Sequence, residues 1–152
     1  VRVWDSLAII EYVAELFPDA GIWPKDVAAR AEARAISMEM LSGFRAIRNA
    51  CPMNIRRKPA PTDLPEGVMD DVARIETIWK DALSRSGGPF LFGAFSAADA
   101  MYAPVVSRFT AYCLTKDETV LAYMARMMAH PAWRKWQAAA EAEPWIVPED
   151  EV

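Results

Sequence analysis

One histidine, His130, and two cysteines, Cys51 and Cys113, are the whole supply of imidazole and thiol in 152 residues. A histidine-rich metal site cannot be assembled from one imidazole, and a histidine-based triad would have to use His130 itself. His130 precedes Pro131 where a helix is expected to begin, which favours a capping or structural role. The cysteines lie far apart and fit no ligand spacing, so they read as reduced thiols of a cytoplasmic protein, and no metal is expected. Also missing is any apolar run approaching the ~18 residues that cross a bilayer. The N-terminus has no basic segment leading into an apolar one, so neither secretion nor membrane insertion is expected. Basic residues are in deficit: 17 Lys and Arg against 21 Asp and Glu leave a net charge of -4. That balance argues against nucleic acid or anionic membrane as partners. The densest basic cluster, Arg56-Arg57-Lys58, falls in a Pro-rich stretch and reads as a solvated loop. Internal repeats and low-complexity tracts are absent.

What is present is apolar. Hydrophobic residues make up 53% of the chain, enough for one compact domain with a buried core. The chain begins with Val1 rather than Met, as though entered inside a structural unit, so it is expected to be a fragment or to lack residues that precede it. Val1–Trp4 reads as the end of a strand. Asp5-Ser6 then supplies a helix start, since either side chain can accept from free N–H groups of a first turn. The apolar face of Leu7, Ile9, Ile10, Val13, Ala14 and Leu16 carries that helix to about Phe17. A second, long helix is expected from Asp26 to about Ala50. A third should start near Thr62 or Asp63, tolerate Pro65 in its first turn, and bury Val68, Val72, Ile75, Ile78, Trp79, Ala82 and Leu83. Phe90-Leu91-Phe92-Gly93 reads as a buried connector. Three more helices follow: Ser96 to about Leu114, Glu118 to Ala129, and Pro131 to Ala142, with Trp145 placed to fold back onto the body. The fold class is all-α, with a remnant of something else at the N-terminus.

Four segments, in order, carry a family resemblance. Trp4-Asp5-Ser6-Leu7-Ala8-Ile9-Ile10-Glu11-Tyr12 resembles the last strand–helix junction of the thioredoxin-like half of glutathione transferases. Trp23-Pro24-Lys25-Asp26 with Ala29-Arg30-Ala31 resembles the crossing into their helical half. Gly88-Pro89-Phe90-Leu91-Phe92-Gly93 before Phe95-Ser96-Ala97-Ala98-Asp99 resembles their connector and capped core helix, and His130-Pro131-Ala132-Trp133 a pattern near their C-terminus. Met38-Glu39-Met40, Ser42-Gly43-Phe44 and Pro52-Met53-Asn54 are most similar to a bacterial serine-type branch, in which a histidine is expected where this chain has Leu41. The resemblance implies a C-terminal helical bundle. Residues 1–18 would be the end of an α/β thioredoxin-like domain, 19–25 a linker, 26–147 the helical domain and 148–152 an acidic tail.

The resemblance also implies chemistry. The intact protein would bind glutathione as co-substrate and transfer it to a small hydrophobic electrophile; this chain alone is expected to be inactive, because the Ser, Tyr or Cys that lowers the thiol pKa belongs to the thioredoxin-like half. No residue here is therefore assigned as catalytic. Asp5 and Ser6 would meet the ammonium and carboxylate of the γ-glutamyl group at a helix N-terminus. Met38, Leu41, Phe44, Arg45, Arg48, Met101 and Tyr102 are the candidates for lining the electrophile site, although apolar residues at helical spacing are more often core. Arg45 and Arg48 leave open an anion contact or an interdomain salt bridge. Ser96 and Asp99 have reciprocal N-cap spacing and are assigned to folding. A homodimer is implied for the intact protein. A non-catalytic transferase-like assembly module is the alternative reading.

Overall fold

The computed structural model describes residues 1–151, so the last residue of the acidic tail, 152, lies outside the described residues. The chain is all-α, 64% helical. Its helices are α1 (Ser6–Leu16), α2 (Val27–Ser42), α3 (Arg45–Ala50), α4 (Val68–Ser86), α5 (Ala97–Ala111), α6 (Glu118–Ala129) and α7 (Pro131–Ala142), with short 3-10 turns at Pro18–Ala20 and Pro148–Asp150. Among the described residues no helix is long and apolar enough to cross a membrane, and no cluster of three or more His, Cys, Asp or Glu could hold a metal. Two compact units emerge: Val1–Gly43 with Ala82–Tyr102, and Phe44–Asp81 with the residues from Ala103 onward.

In the first unit, α2 starts where Asp26 accepts a hydrogen bond from the Ala29 N–H at 2.8 Å. It packs Ala33, Ile36, Ser37 and Met40 inward, and the buried Tyr102 donates its hydroxyl to the Ile36 carbonyl at 3.2 Å. The connector Phe90–Ala94 closes through two isolated bridges, Phe90 to Gly93 and Phe92 to Ala94, and only Leu91 within it is fully buried. Gly88 is required there: a β-carbon would lie 2.4 Å from the Gly93 α-carbon, and backbone cannot yield that space. Val1–Trp4 forms no strand, contrary to expectation, because a strand exists only through ladder bonds to a neighbour and none is formed in the described residues.

In the second unit, the indole of Trp79 is buried between Phe109 and Tyr123, with ring centroids 5.2 and 5.0 Å away. Asp117 starts α6 by accepting from the N–H groups of Thr119 and Val120, and His130 starts α7 by accepting at Nδ1 from Ala132 at 3.2 Å. Helix α5 ends in a paired closure: Leu114 N–H donates to the Phe109 carbonyl and Cys113 N–H to that of Thr110. This is a Schellman arrangement with Cys113, at φ 53, in the left-handed position that usually selects glycine.

Two expected helix boundaries are corrected. The long helix from Asp26 to Ala50 is instead α2 and α3, separated at Gly43-Phe44, where Phe44 adopts φ 56. Apolar periodicity continues across the break, so it conceals a single left-handed residue. Helix α4 starts at Val68, not Thr62 or Asp63. Pro65 disfavours helical backbone at Leu64, and Gly67 at φ 85 lies outside the helical basin. Asp71 in the first turn of α4 then accepts from the Ile47 N–H at 3.1 Å, supplying the α3 N-terminus with the cap that Phe44 cannot provide.

Candidate functional site

Asp5 stands immediately before α1 at φ 73, ψ 134, in backbone space that side-chain-bearing residues seldom occupy. Its side chain makes no capping hydrogen bond, contrary to the capping expected from sequence. Asp5 and Ser6 are both exposed. The result is a helix mouth with unpaired N–H groups, a hydroxyl and an adjacent carboxylate. That combination offers donors and partial positive charge to an anion, and a negative charge to a neighbouring cation.

Glu11, one turn and a half further along α1, holds the helix to α2. Its two carboxylate oxygens accept from Arg34 Nε at 2.7 Å and Nη2 at 2.9 Å, and the same guanidinium lies 5.3 Å from the centre of the Trp23 ring. The Arg34 hydrogen bonds hold the Glu11 carboxyl below its ordinary 4.5, against the opposing effect of partial burial. A depressed carboxyl pKa stabilises above the unfolded value and ceases to do so as pH falls through the folded one. Both side chains are more than a third exposed or close to it, so the effect stays below ~1 kcal/mol. The difference in melting temperature between wild type and Glu11→Gln should accordingly be present near neutrality, begin to fade as pH falls below about 4.5, and vanish once pH has passed the lower folded value. A difference that persisted in acid would remove this ion pair as its source.

The remaining residues expected to line an electrophile site divide. In the first unit Met38 is exposed and Leu41 half-buried, while Met101 and Tyr102 are buried, Tyr102 completely. In the second unit Phe44 is buried, Arg45 exposed and Arg48 half-buried. Phe44, Met101 and Tyr102 thus lie in the packed interior, where apolar residues at helical spacing ordinarily go. A separate apolar cavity of about 300 Å³ in the first unit is lined by Ile9, Ile10, Val13, Ile22 and Phe95.

Asp99 is fully buried and uses both oxygens: Oδ1 accepts from the Leu91 N–H at 3.1 Å, Oδ2 from the Ser96 N–H at 2.9 Å and the Ser96 hydroxyl at 3.0 Å. The reach back to Ser96 is the expected one. The bond to Leu91, which pins the connector, was not visible in the spacing.

The Arg56-Arg57-Lys58 stretch is a loop in which Arg56 and Lys58 are exposed, but both arginines have partners. Arg56 donates to the Glu143 carbonyl at 2.8 Å and the Trp145 carbonyl at 2.5 Å, closing the C-terminus of α7 where carbonyls lack partners. Arg57 stacks 4.6 Å from the Tyr112 ring centre. Arginine, with a planar fork and an apolar stem, takes such roles more readily than lysine. Trp145 is therefore held by its backbone, while its side chain remains 68% exposed instead of folding onto the body. In the same unit the Arg108 guanidinium donates to the carbonyl of the buried Cys51 at 2.8 Å, and burial pushes the Cys51 thiol pKa up, so it stays protonated and inert.

Residues 28–139 match the family described as glutathione S-transferase, C-terminal domain. Over 56 residues the chain is 43% identical to a probable maleylacetoacetate isomerase of Caenorhabditis elegans; that segment is 37% of this chain and 26% of that protein, so the match spans about a quarter of the relative's length. A crystal structure of a glutathione transferase homologue from Burkholderia (BGR1), with bound glutathione, has a TM-score of 0.64 to this chain. It matches 93% of this chain and 68% of that one at 23% identity, a likeness of fold. With most of its length inside the matched region, this chain belongs to the glutathione S-transferase C-terminal domain family.

Proposed function

We propose that this chain is the helical part of a glutathione-dependent transferase, and that Asp5 and Ser6 receive the γ-glutamyl end of glutathione. The observation that carries the reading is Asp5. Its backbone is held in costly geometry while its carboxylate caps nothing, and strain of that kind accumulates where a side chain must face a ligand. The glutathione carboxylate would take the hydroxyl and N–H groups at the mouth of α1, and its ammonium the Asp5 carboxylate. A homologue of the same fold holds glutathione, which supports glutathione as the ligand.

A thioredoxin-like half preceding α1 would supply the thiol-activating group, a serine in the bacterial branch proposed here. Helix α1 supports such a neighbour: it is strongly apolar yet has no buried residue, and Ile9, Tyr12 and Leu16 are exposed. The second substrate would be a small hydrophobic electrophile. The relative named as a probable maleylacetoacetate isomerase adds isomerisation as a second candidate reaction for the intact protein. In the first unit, the exposed Met38 and half-buried Leu41 are candidate contacts for that substrate. A cytoplasmic homodimer is proposed, using the α2 face of Ala28, Ala31 and Ala35, which is small and exposed.

Calorimetric titration of glutathione into the full-length protein tests the reading. Asp5→Asn and Ser6→Ala should each weaken binding by about tenfold, the scale of a hydrogen bond to a charged group. Unchanged affinity in both would dismiss the site, and absence of glutathione binding in the unaltered protein would favour the non-catalytic assembly module.

A further inference from the structure

A second concavity lies in the second unit, remote in sequence from Asp5 and independent of any glutathione site. It encloses about 330 Å³, within the range of small-molecule sites, and its walls include Met53, Arg56, Trp136, Glu143, Trp145 and Glu151. Trp136 is set edge-on to Trp133 at 88° with centroids 5.2 Å apart, which gives its ring a defined plane. The segment after α7 is fastened to the opposite loop by Arg56, through the Glu143 and Trp145 carbonyls, and by Asn54 Nδ2 on the Asp150 carbonyl at 3.4 Å.

These attachments decide the electrostatics. Arg56, the one cation in the lining, bonds main-chain carbonyls through its two terminal nitrogens and keeps its charge, while Glu143 and Glu151 make no ion pair among the described residues. Asp150 adds a further negative charge, shared with Arg108. An anion would meet three carboxylates, and a neutral apolar ligand would strip water from them without replacing it. Indole rings beside three carboxylates and a single guanidinium favour a cation with an apolar surface. We propose that this cleft binds a small organic cation of the quaternary ammonium class, its charge between Glu143 and Glu151 and its methyl groups against Trp136 and Trp145.

The probe is choline, compared with its uncharged carbon isostere 3,3-dimethyl-1-butanol, by calorimetry and tryptophan fluorescence on the full-length protein. Choline should saturate at millimolar concentration, and the isostere should bind at least about tenfold more weakly. Trp145→Ala and Glu143→Gln alter exposed side chains, so both should keep the helical circular dichroism while weakening choline about fivefold, as loss of one cation–π or charge contact implies. Equal binding of the isostere would overturn the cationic specificity. Absence of saturable binding, or choline binding unchanged in both variants, would overturn the site.

Discussion

Asp99→Ala is expected to lower the melting temperature by about 10 °C, the largest effect of any single polar substitution in the first unit. The carboxylate is fully buried and accepts three hydrogen bonds, from the N–H groups of Leu91 and Ser96 and the hydroxyl of Ser96. Alanine leaves all three donors without their acceptor. A buried polar group so abandoned costs about 1–3 kcal/mol, and a lost helix cap ~1 kcal/mol. A total near 4 kcal/mol, at roughly 2–4 °C per kcal/mol for a chain of this length, gives the figure above. Asp99→Asn separates the two sides of the carboxylate. Its single carbonyl oxygen can serve Ser96 or Leu91 but not both, while its amide confronts the other donor, so about half the loss should remain. Scanning calorimetry of both variants is decisive. If Asp99→Ala melted within a degree or two of wild type, the Leu91 and Ser96 bonds would not hold the connector.

Trp79→Ala should be comparably severe in the second unit. The side chain is completely buried, and its ring meets Phe109 at a tilt of 43° and Tyr123 at 61°. Truncation removes the transfer free energy of an indole and leaves a cavity that three helices cannot collapse around, commonly 3–5 kcal/mol together. Trp79→Phe keeps most of the volume and an aromatic face and should cost less than half as much. Urea unfolding checks both: the midpoint should fall in that order, with the slope unchanged. Equal midpoints for the alanine and phenylalanine variants would mean that the site relaxes and that Trp79 is not a packing centre.

Local chemistry made some elements readable in advance and left others hidden. Helices α6 and α7 run from Glu118 to Ala129 and from Pro131 to Ala142, the bounds expected from sequence, because Asp117 and His130-Pro131 mark their starts with side chains that act within a turn. The buried stripe of α4 was likewise legible from its period. The break at Gly43-Phe44 was not, since Phe44 has the right polarity for its place in the pattern and departs from the helix only in backbone angle. The same blindness applies to Asp5. The residue types Asp-Ser suggested a capped helix start, but the positive φ that turns the carboxylate from cap to exposed group is a property of the folded chain. Arg56 shows a third limit: its partners are the carbonyls of residues 143 and 145, and a bond to main chain far along the sequence has no signature in side-chain pattern.

The geometry of Asp5 also sets how this protein should respond to selection. Glycine at that position would relax the strained backbone and lower the free energy of the fold, by something on the order of 1 kcal/mol. A library sorted only for heat resistance would therefore enrich Asp5→Gly early, and every member carrying it would have lost the carboxylate. With Asp5 receiving glutathione as proposed, thermal selection and ligand selection would pull this one codon in opposite directions, and an aspartate retained there by a lineage would record which pressure prevailed.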